Sequence, residues 1–147
     1  MYSNLLVPTD GSKLSDKAVA QAIDLAQAIK AKITAFHASA DYPTPIYADG
    51  VSIEMIPKRE YLKQAKADAM KILDRVAMKA SSAGVECVTV HAIAAAPWEA
   101  ILACAKKARC DAIVMASHGH RGLTALLLGS ETTRVLTHSK LPVLVVR

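Results

Sequence analysis

Five short apolar runs, each separated from the next by a stretch of helical period, limit what this chain can become. Leu5-Leu6-Val7 breaks off at Pro8-Thr9-Asp10-Gly11-Ser12, which predicts a strand running into a turn. Ala18, Val19, Ala22, Ile23, Ala26 and Ile29 then recur at helical spacing, with Ser12 or Ser15 placed to cap and Asp16 in the first turn. Residues 33–38 read as a second strand. A long amphipathic helix is predicted over 58–83, with Leu62, Ala65, Ala69, Ile72, Leu73, Val76 and Ala80 on its core face and Gly84 as its stop. Cys87–Ile93 reads as a third strand. Pro97 opens a helix whose core face is Trp98, Ile101, Leu102, Ala105 and Ala108. Ala112–Ala116 is a fourth, wholly apolar strand. After a glycine-containing connection, Gly129-Ser130 opens a last helix to about His138, and residues 142–146 form the final strand.

Strands that alternate with helices require right-handed crossovers, a parallel sheet and helices on both of its faces. The expected fold is therefore α/β, a three-layer α/β/α sandwich, in one domain over residues 1–147. One stretch stands outside the alternation. Residues 39–57 carry Pro43, Pro45, Pro57, Tyr42 and Tyr47 with no period, and predict a long loop of the kind that commonly serves function. Tyr42 and Tyr47 are expected to fold over a ligand.

A chain of 147 residues buries about two-thirds of its unfolded surface, so it needs no staple. Its three cysteines, Cys87, Cys104 and Cys110, have no CxxC spacing and read as ordinary thiols rather than zinc ligands or a disulfide framework. With 52% hydrophobic and 21% charged residues, disorder is excluded. Aromatic residues at 4% are too few to build stacking platforms for single-stranded nucleic acid, so no nucleic-acid partner is expected. The apolar start is too short for a signal peptide and no run reaches membrane length, which leads us to expect a cytoplasmic protein with no membrane partner. A net charge of +5 suits a small anionic ligand.

In an open α/β sheet a ligand binds beyond the carboxyl ends of the strands, where strand order reverses. Two strand-to-helix connections carry suitable groups: Pro8-Thr9-Asp10-Gly11-Ser12, and Ala116-Ser117-His118-Gly119-His120-Arg121-Gly122 leading on to Gly129-Ser130. Glycine admits close backbone approach, and a helix N-terminus attracts phosphate. Ser130 can both cap its helix and donate to a phosphate oxygen. No GxxxxGK followed by Ser or Thr occurs, and no GxGxxG follows the first strand. His118 and His120 form a His-x-His pair better suited to phosphate than to metal, since no cysteine or paired carboxylate stands nearby in sequence. Arg121 is the stronger phosphate candidate. Asp10 suits either a Mg2+ ion or the capping of a turn. His37 and His91 end apolar strands and read from position alone as hydrogen-bonded structural residues.

Taken together these segments resemble the universal stress protein family. Residues 4–12 look like the opening strand of that family. Ser117-His118-Gly119, nine residues and then Gly129-Ser130 resemble its nucleotide signature, G-x2-G-x9-G-S/T. Asp111-Ala112-Ile113-Val114-Met115 and residues 139–146 resemble its fourth and closing strands. The resemblance implies a five-stranded parallel sheet in the order 3-2-1-4-5, with the loops after strands 1 and 4 side by side. It implies that Pro8, Thr9 and Asp10 hold the base and ribose of an adenine nucleotide, with His37 and Ala38 flanking the base. Met115, Ala116, His118, Gly119, Arg121, Gly122, Gly129 and Ser130 would complete the site around the phosphates, with Glu131 and Thr132 close behind. Ala116 replaces the signature's first glycine. At the end of a buried strand negative φ is the ordinary state, so the site is expected to tolerate the methyl group.

The cofactor so implied is ATP or AMP, the triphosphate with Mg2+. The function implied is a stress-response sensor or interaction module, with no residue assigned a catalytic role. A slow ATPase and a nucleotide-free interaction protein remain the alternatives, since no carboxylate is clearly placed as a base. A homodimer is expected through the apolar closing strand Val143, Leu144, Val145 and Val146, an edge that invites pairing.

Overall fold

A computed structural model describes residues 1–43, 47–48, 51–52, 56–119 and 128–147. In chain order the elements are β1 (Asn4–Pro8), α1 (Lys13–Ile29), β2 (Lys32–Ser39), β3 (Tyr47–Ala48), β4 (Val51–Ser52), α2 (Lys58–Ser82), β5 (Cys87–Ile93), α3 (Pro97–Lys107), β6 (Ala112–Ala116), α4 (Ser130–His138) and β7 (Val143–Val146). Five strands form a parallel sheet in the order β5-β2-β1-β6-β7. Counted without the small β3–β4 pair, this is the expected order 3-2-1-4-5.

Both central strands, β1 and β6, are buried along their whole length. That is why they read as continuous apolar runs rather than as alternating ones. Their side chains still divide by face. Leu5, Val7, Val114 and Ala116 pack with Ala18, Val19, Ala22, Leu73 and Val76 under α1 and α2. Leu6, Phe36, Ile113 and Met115 pack with Ile101, Ala105 and Val135 under α3 and α4. Each fully buried leucine, isoleucine or valine stabilises the fold by about 1.5–3 kcal/mol.

Ser12 is the N-cap of α1, its hydroxyl accepting from the Ser15 N–H at 3.2 Å. Ser15, the other candidate for that role, sends its hydroxyl proton back to the Ser12 carbonyl at 3.0 Å. The helices that lead into β2, β5 and β6 end alike. At each, the N–H of Ala31, Val85 or Cys110 reaches back five residues, to Ala26, Ala80 or Ala105, over a residue at positive φ. Gly84 fills that position after α2 as predicted, at φ 69°. After α1 and α3 it is filled by Lys30 at φ 58° and Arg109 at φ 54°, which no sequence signal marks.

The 39–57 stretch holds one feature the periodicity did not predict, the antiparallel β3–β4 pair. Its base is clasped. Tyr42 donates its hydroxyl proton to the Ile56 carbonyl at 2.7 Å, and its ring meets that of Tyr61 edge-on at 5.4 Å. Tyr61, in α2, donates to the Ala40 carbonyl at 3.0 Å. In α2 itself the first fully buried residue is Ala69, so the core holds the second half of the helix while its first turns stay exposed or half-buried.

Candidate functional site

Strand order reverses between β1 and β6. The chain leaves β1 for α1 on one face of the sheet and leaves β6 for α4 on the other, so these two connections are the walls of the crevice in which a sheet of this order holds a ligand. Each wall is built by backbone turns locked with short side chains.

On the β1 side, the Thr9 N–H donates to the Phe36 carbonyl at 2.9 Å, continuing the ladder one residue past Pro8. The Thr9 hydroxyl accepts from the Gly11 N–H at 3.2 Å and lies 3.0 Å from Ser15 Oγ. Because the Ser15 proton is already committed to Ser12, it is Thr9 that donates in that pair. Asp10 Oδ1 accepts from the Ser12 N–H at 3.0 Å, an Asx turn that shapes the corner, and Gly11 takes it at φ 77°. The capping role foreseen for Asp10 is therefore present.

His37 Nδ1 lies 2.8 Å from the Thr9 carbonyl. A carbonyl only accepts, so Nδ1 carries the proton and the ring braces the turn from behind. The ring stacks on His91 with centroids 6.1 Å apart, and His91 Nε2 shares a hydrogen bond with Ser39 Oγ at 2.9 Å. Burial, with the charges of His37 and Lys66 added, lowers the His91 pKa from its usual 6.5 and favours the neutral ring. Ala38 points to the opposite face, against the α3–α4 core.

On the β6 side, Ala116 ends its strand paired with Val146, and its methyl is buried in the core under α1. Its backbone is not at positive φ, as expected. Met115 is buried against α3 and α4. Ser117 donates its N–H to the Val146 carbonyl at 2.7 Å, and its hydroxyl lies 3.2 Å from His118 Nδ1.

Gly119 seats directly on Asp10, where a Cβ would collide with the carboxylate oxygen Oδ2. This contact joins the two walls, and it explains why glycine stands there. Gly129 is close-packed for a related reason. A Cβ would lie 3.1 Å from His118 Cα, and its N–H is committed to the Ser117 carbonyl at 2.8 Å. Its φ is −62°, so tight packing rather than a left-handed backbone requires glycine.

Three predicted phosphate neighbours fall in α4, and the structure divides them. Ser130 is the first helical residue, and the N-cap before it, Gly129, has no side chain to cap the turn it opens. Thr132 is buried, its hydroxyl donating to the Ala116 carbonyl at 3.0 Å, so it ties α4 to the end of β6. Glu131 turns to α3, where Oε2 accepts the Trp98 N–H at 2.7 Å and caps a helix that has no side-chain cap of its own. The Trp98 ring lies 4.5 Å from that of His138 at the far end of α4. Nothing in the spacing of residues 98 and 131 announces this bridge. His120, Arg121 and Gly122 lie outside the described residues, as does the side chain of Tyr47.

Burial raises the pKa of all three thiols, that of Cys104 to about 11, which keeps them protonated and poorly nucleophilic. Among the described residues no helix is long and apolar enough to cross a membrane.

Comparison with known proteins fits this geometry. The family model described as "Universal stress protein family" matches residues 1–147. The universal stress protein YxiE of Bacillus subtilis is 32% identical, over the full length of both chains. Among solved structures, universal stress protein UspA from Lactobacillus plantarum superposes with a TM-score of 0.81 at 25% identity, covering 99% of this chain and 98% of its own. A universal stress protein in complex with cAMP superposes with a TM-score of 0.72 at 26% identity, covering 99% of this chain and 97% of its own. The sheet order, the glycine-joined crevice and these matches agree: the chain belongs to the universal stress protein family.

Proposed function

We propose that the crevice between the β1–α1 turn and the β6–α4 connection binds an adenine nucleotide, ATP or AMP, the triphosphate with Mg2+. The observation that carries this reading is the meeting of Gly119 and Asp10, together with an α4 N-terminus whose N-cap, Gly129, has no side chain to fill it. First-turn N–H groups and the Ser130 hydroxyl are the donors an anionic phosphate needs, and the helix dipole favours its charge. The cAMP complex of a 26% identical relative supports the adenine nucleotide as the ligand class. Thr9, Asp10, His37 and Ala38 serve the base and ribose end. Arg121 and Gly122 serve the phosphates.

The nucleotide acts as a signal in this reading, and the protein as a stress sensor or interaction module. Both carboxylates beside the crevice already hold backbone, Asp10 the Ser12 N–H and Glu131 the Trp98 N–H, which argues against either as a base for hydrolysis. Calorimetry with ATP, ADP, AMP and cAMP tests the proposal. Binding in the micromolar range, about −8 kcal/mol, is the expected result, and absence of heat with all four refutes it. Phosphate release faster than about 1 s⁻¹ would instead establish an enzyme. The same reading includes a homodimer formed through β7.

A further inference from the structure

The β1–α1 turn is gripped from two sides, and the second grip comes from a helix with no place in the nucleotide signature. On the inner side Gly119 bears on Asp10. On the outer side α2 presses against Gly11, where a Cβ would lie 3.1 Å from Ile72 Cγ1, 3.2 Å from Ile72 Cδ1 and 3.6 Å from Arg75 Nη2. Arg75 Nη2 also lies 3.7 Å from Asp16 Oδ1 in the first turn of α1, with Lys79 Nζ 3.9 Å from the same oxygen. One guanidinium thus borders both the turn and the start of the helix that follows it.

We propose that Ile72 and Arg75 are positioning residues for the nucleotide-binding turn, an inference that rests on the crevice being the nucleotide site. Neither touches the ligand in this proposal. Ile72 supplies the apolar backing that keeps Gly11 at φ 77°, and Arg75 holds Asp16 so that α1 starts at a fixed distance from α2. Displacing either lets the turn relax outward and draws Asp10 away from Gly119. Two hydrogen bonds report the position of the turn directly: Gly11 N–H to Thr9 Oγ1, and Ser12 N–H to Asp10 Oδ1.

An ordinary surface ion pair predicts something different. With Arg75 and Asp16 side chains 54% and 34% exposed, it would add little stability and leave the turn alone. Amide hydrogen exchange on the ligand-free protein separates the two, followed by AMP titration of the same samples. The variants are Arg75→Gln, Arg75→Lys and Ile72→Ala, with Lys71→Gln as a control on an exposed cation paired with Asp68 along its own helix. Exchange at Gly11 and Ser12 should rise about threefold in Arg75→Gln and about tenfold in Ile72→Ala, while Val114 in β6 stays protected. AMP affinity should fall by similar factors, Arg75→Lys should recover part of both effects, and Lys71→Gln should change neither. Unaltered exchange at Gly11 and Ser12 in both Arg75→Gln and Ile72→Ala overturns the proposal whatever the nucleotide does. Raised exchange with wild-type AMP affinity overturns it as well. If the wild type binds no adenine nucleotide, the ligand reading fails separately, and raised exchange still establishes that α2 positions the turn.

Discussion

Ala116 and Gly129 occupy two positions of one signature, yet the constraints on them differ. The Ala116 methyl is buried among core side chains under α1, on a strand-end residue paired with Val146. Ala116→Gly should therefore leave nucleotide affinity unchanged or modestly improved, while lowering stability by about 1 kcal/mol through backbone entropy and lost burial. Calorimetry and urea denaturation measure the two effects independently. Gly129 has no such latitude. A Cβ there meets the backbone of His118 at 3.1 Å, and valine adds two further methyl groups. Gly129→Val should abolish nucleotide binding by forcing apart the joint between α4 and the residues after β6. The glycine is required by packing and not by a left-handed backbone, since φ is −62°. Wild-type affinity in Gly129→Val would show that this joint does not shape the site.

Among the elements, helix ends show how local chemistry and packing divide the work. The N-terminus of α1 was legible because Ser12 precedes an amphipathic run, and the end of α2 because Gly84 follows one. The ends of α1 and α3 were not, since lysine and arginine stand where the geometry favours glycine. Both are held at positive φ by the return bonds from Ala31 to Ala26 and from Cys110 to Ala105, each short, at 2.9 and 2.8 Å. A side chain in that conformation costs about 1 kcal/mol. Lys30→Gly and Arg109→Gly should each stabilise the protein by about 0.5–1 kcal/mol in urea denaturation, against the usual direction for a change to glycine. Destabilisation by either would mean that its Cβ and stem make contacts worth more than the strain. The bridge from Glu131 to Trp98 belongs to this scale too, because it caps α3 with a side chain from α4.

At the scale of the whole molecule, the sheet ends in two unlike edges, β5 and β7. The even-numbered carbonyls of Pro142 and Val146 accept from Ile113 of β6 and from Ser117, the residue that follows that strand. Alternation along a strand then turns the N–H and C=O of Val143 and Val145 outward. Leu144 is 47% exposed on the same strand, so the edge offers apolar area and, among the described residues, unpaired backbone. Light scattering should give about twice 15.6 kDa. Val145→Pro removes an outward donor without touching the β6 ladder, and should shift the protein toward monomer with little loss of fold. A wild-type monomer at tens of micromolar removes the homodimer from the proposed function.

The chain's own periodicity determined the order of the main elements, because buried parallel strands and amphipathic helices impose different apolar spacings on neighbouring residues. Its glycines and hydroxyls also marked both loops of the candidate site, since each acts within a few residues of its own position. Tertiary structure alone decided which partners those groups would meet: Gly119 on Asp10, Gly129 on His118, Glu131 on Trp98, and Ile72 and Arg75 behind Gly11. These pairs are 11 to 109 residues apart in the chain. Local propensity carries no record of contacts at that range, which exist only once sheet order and helix packing bring the surfaces together.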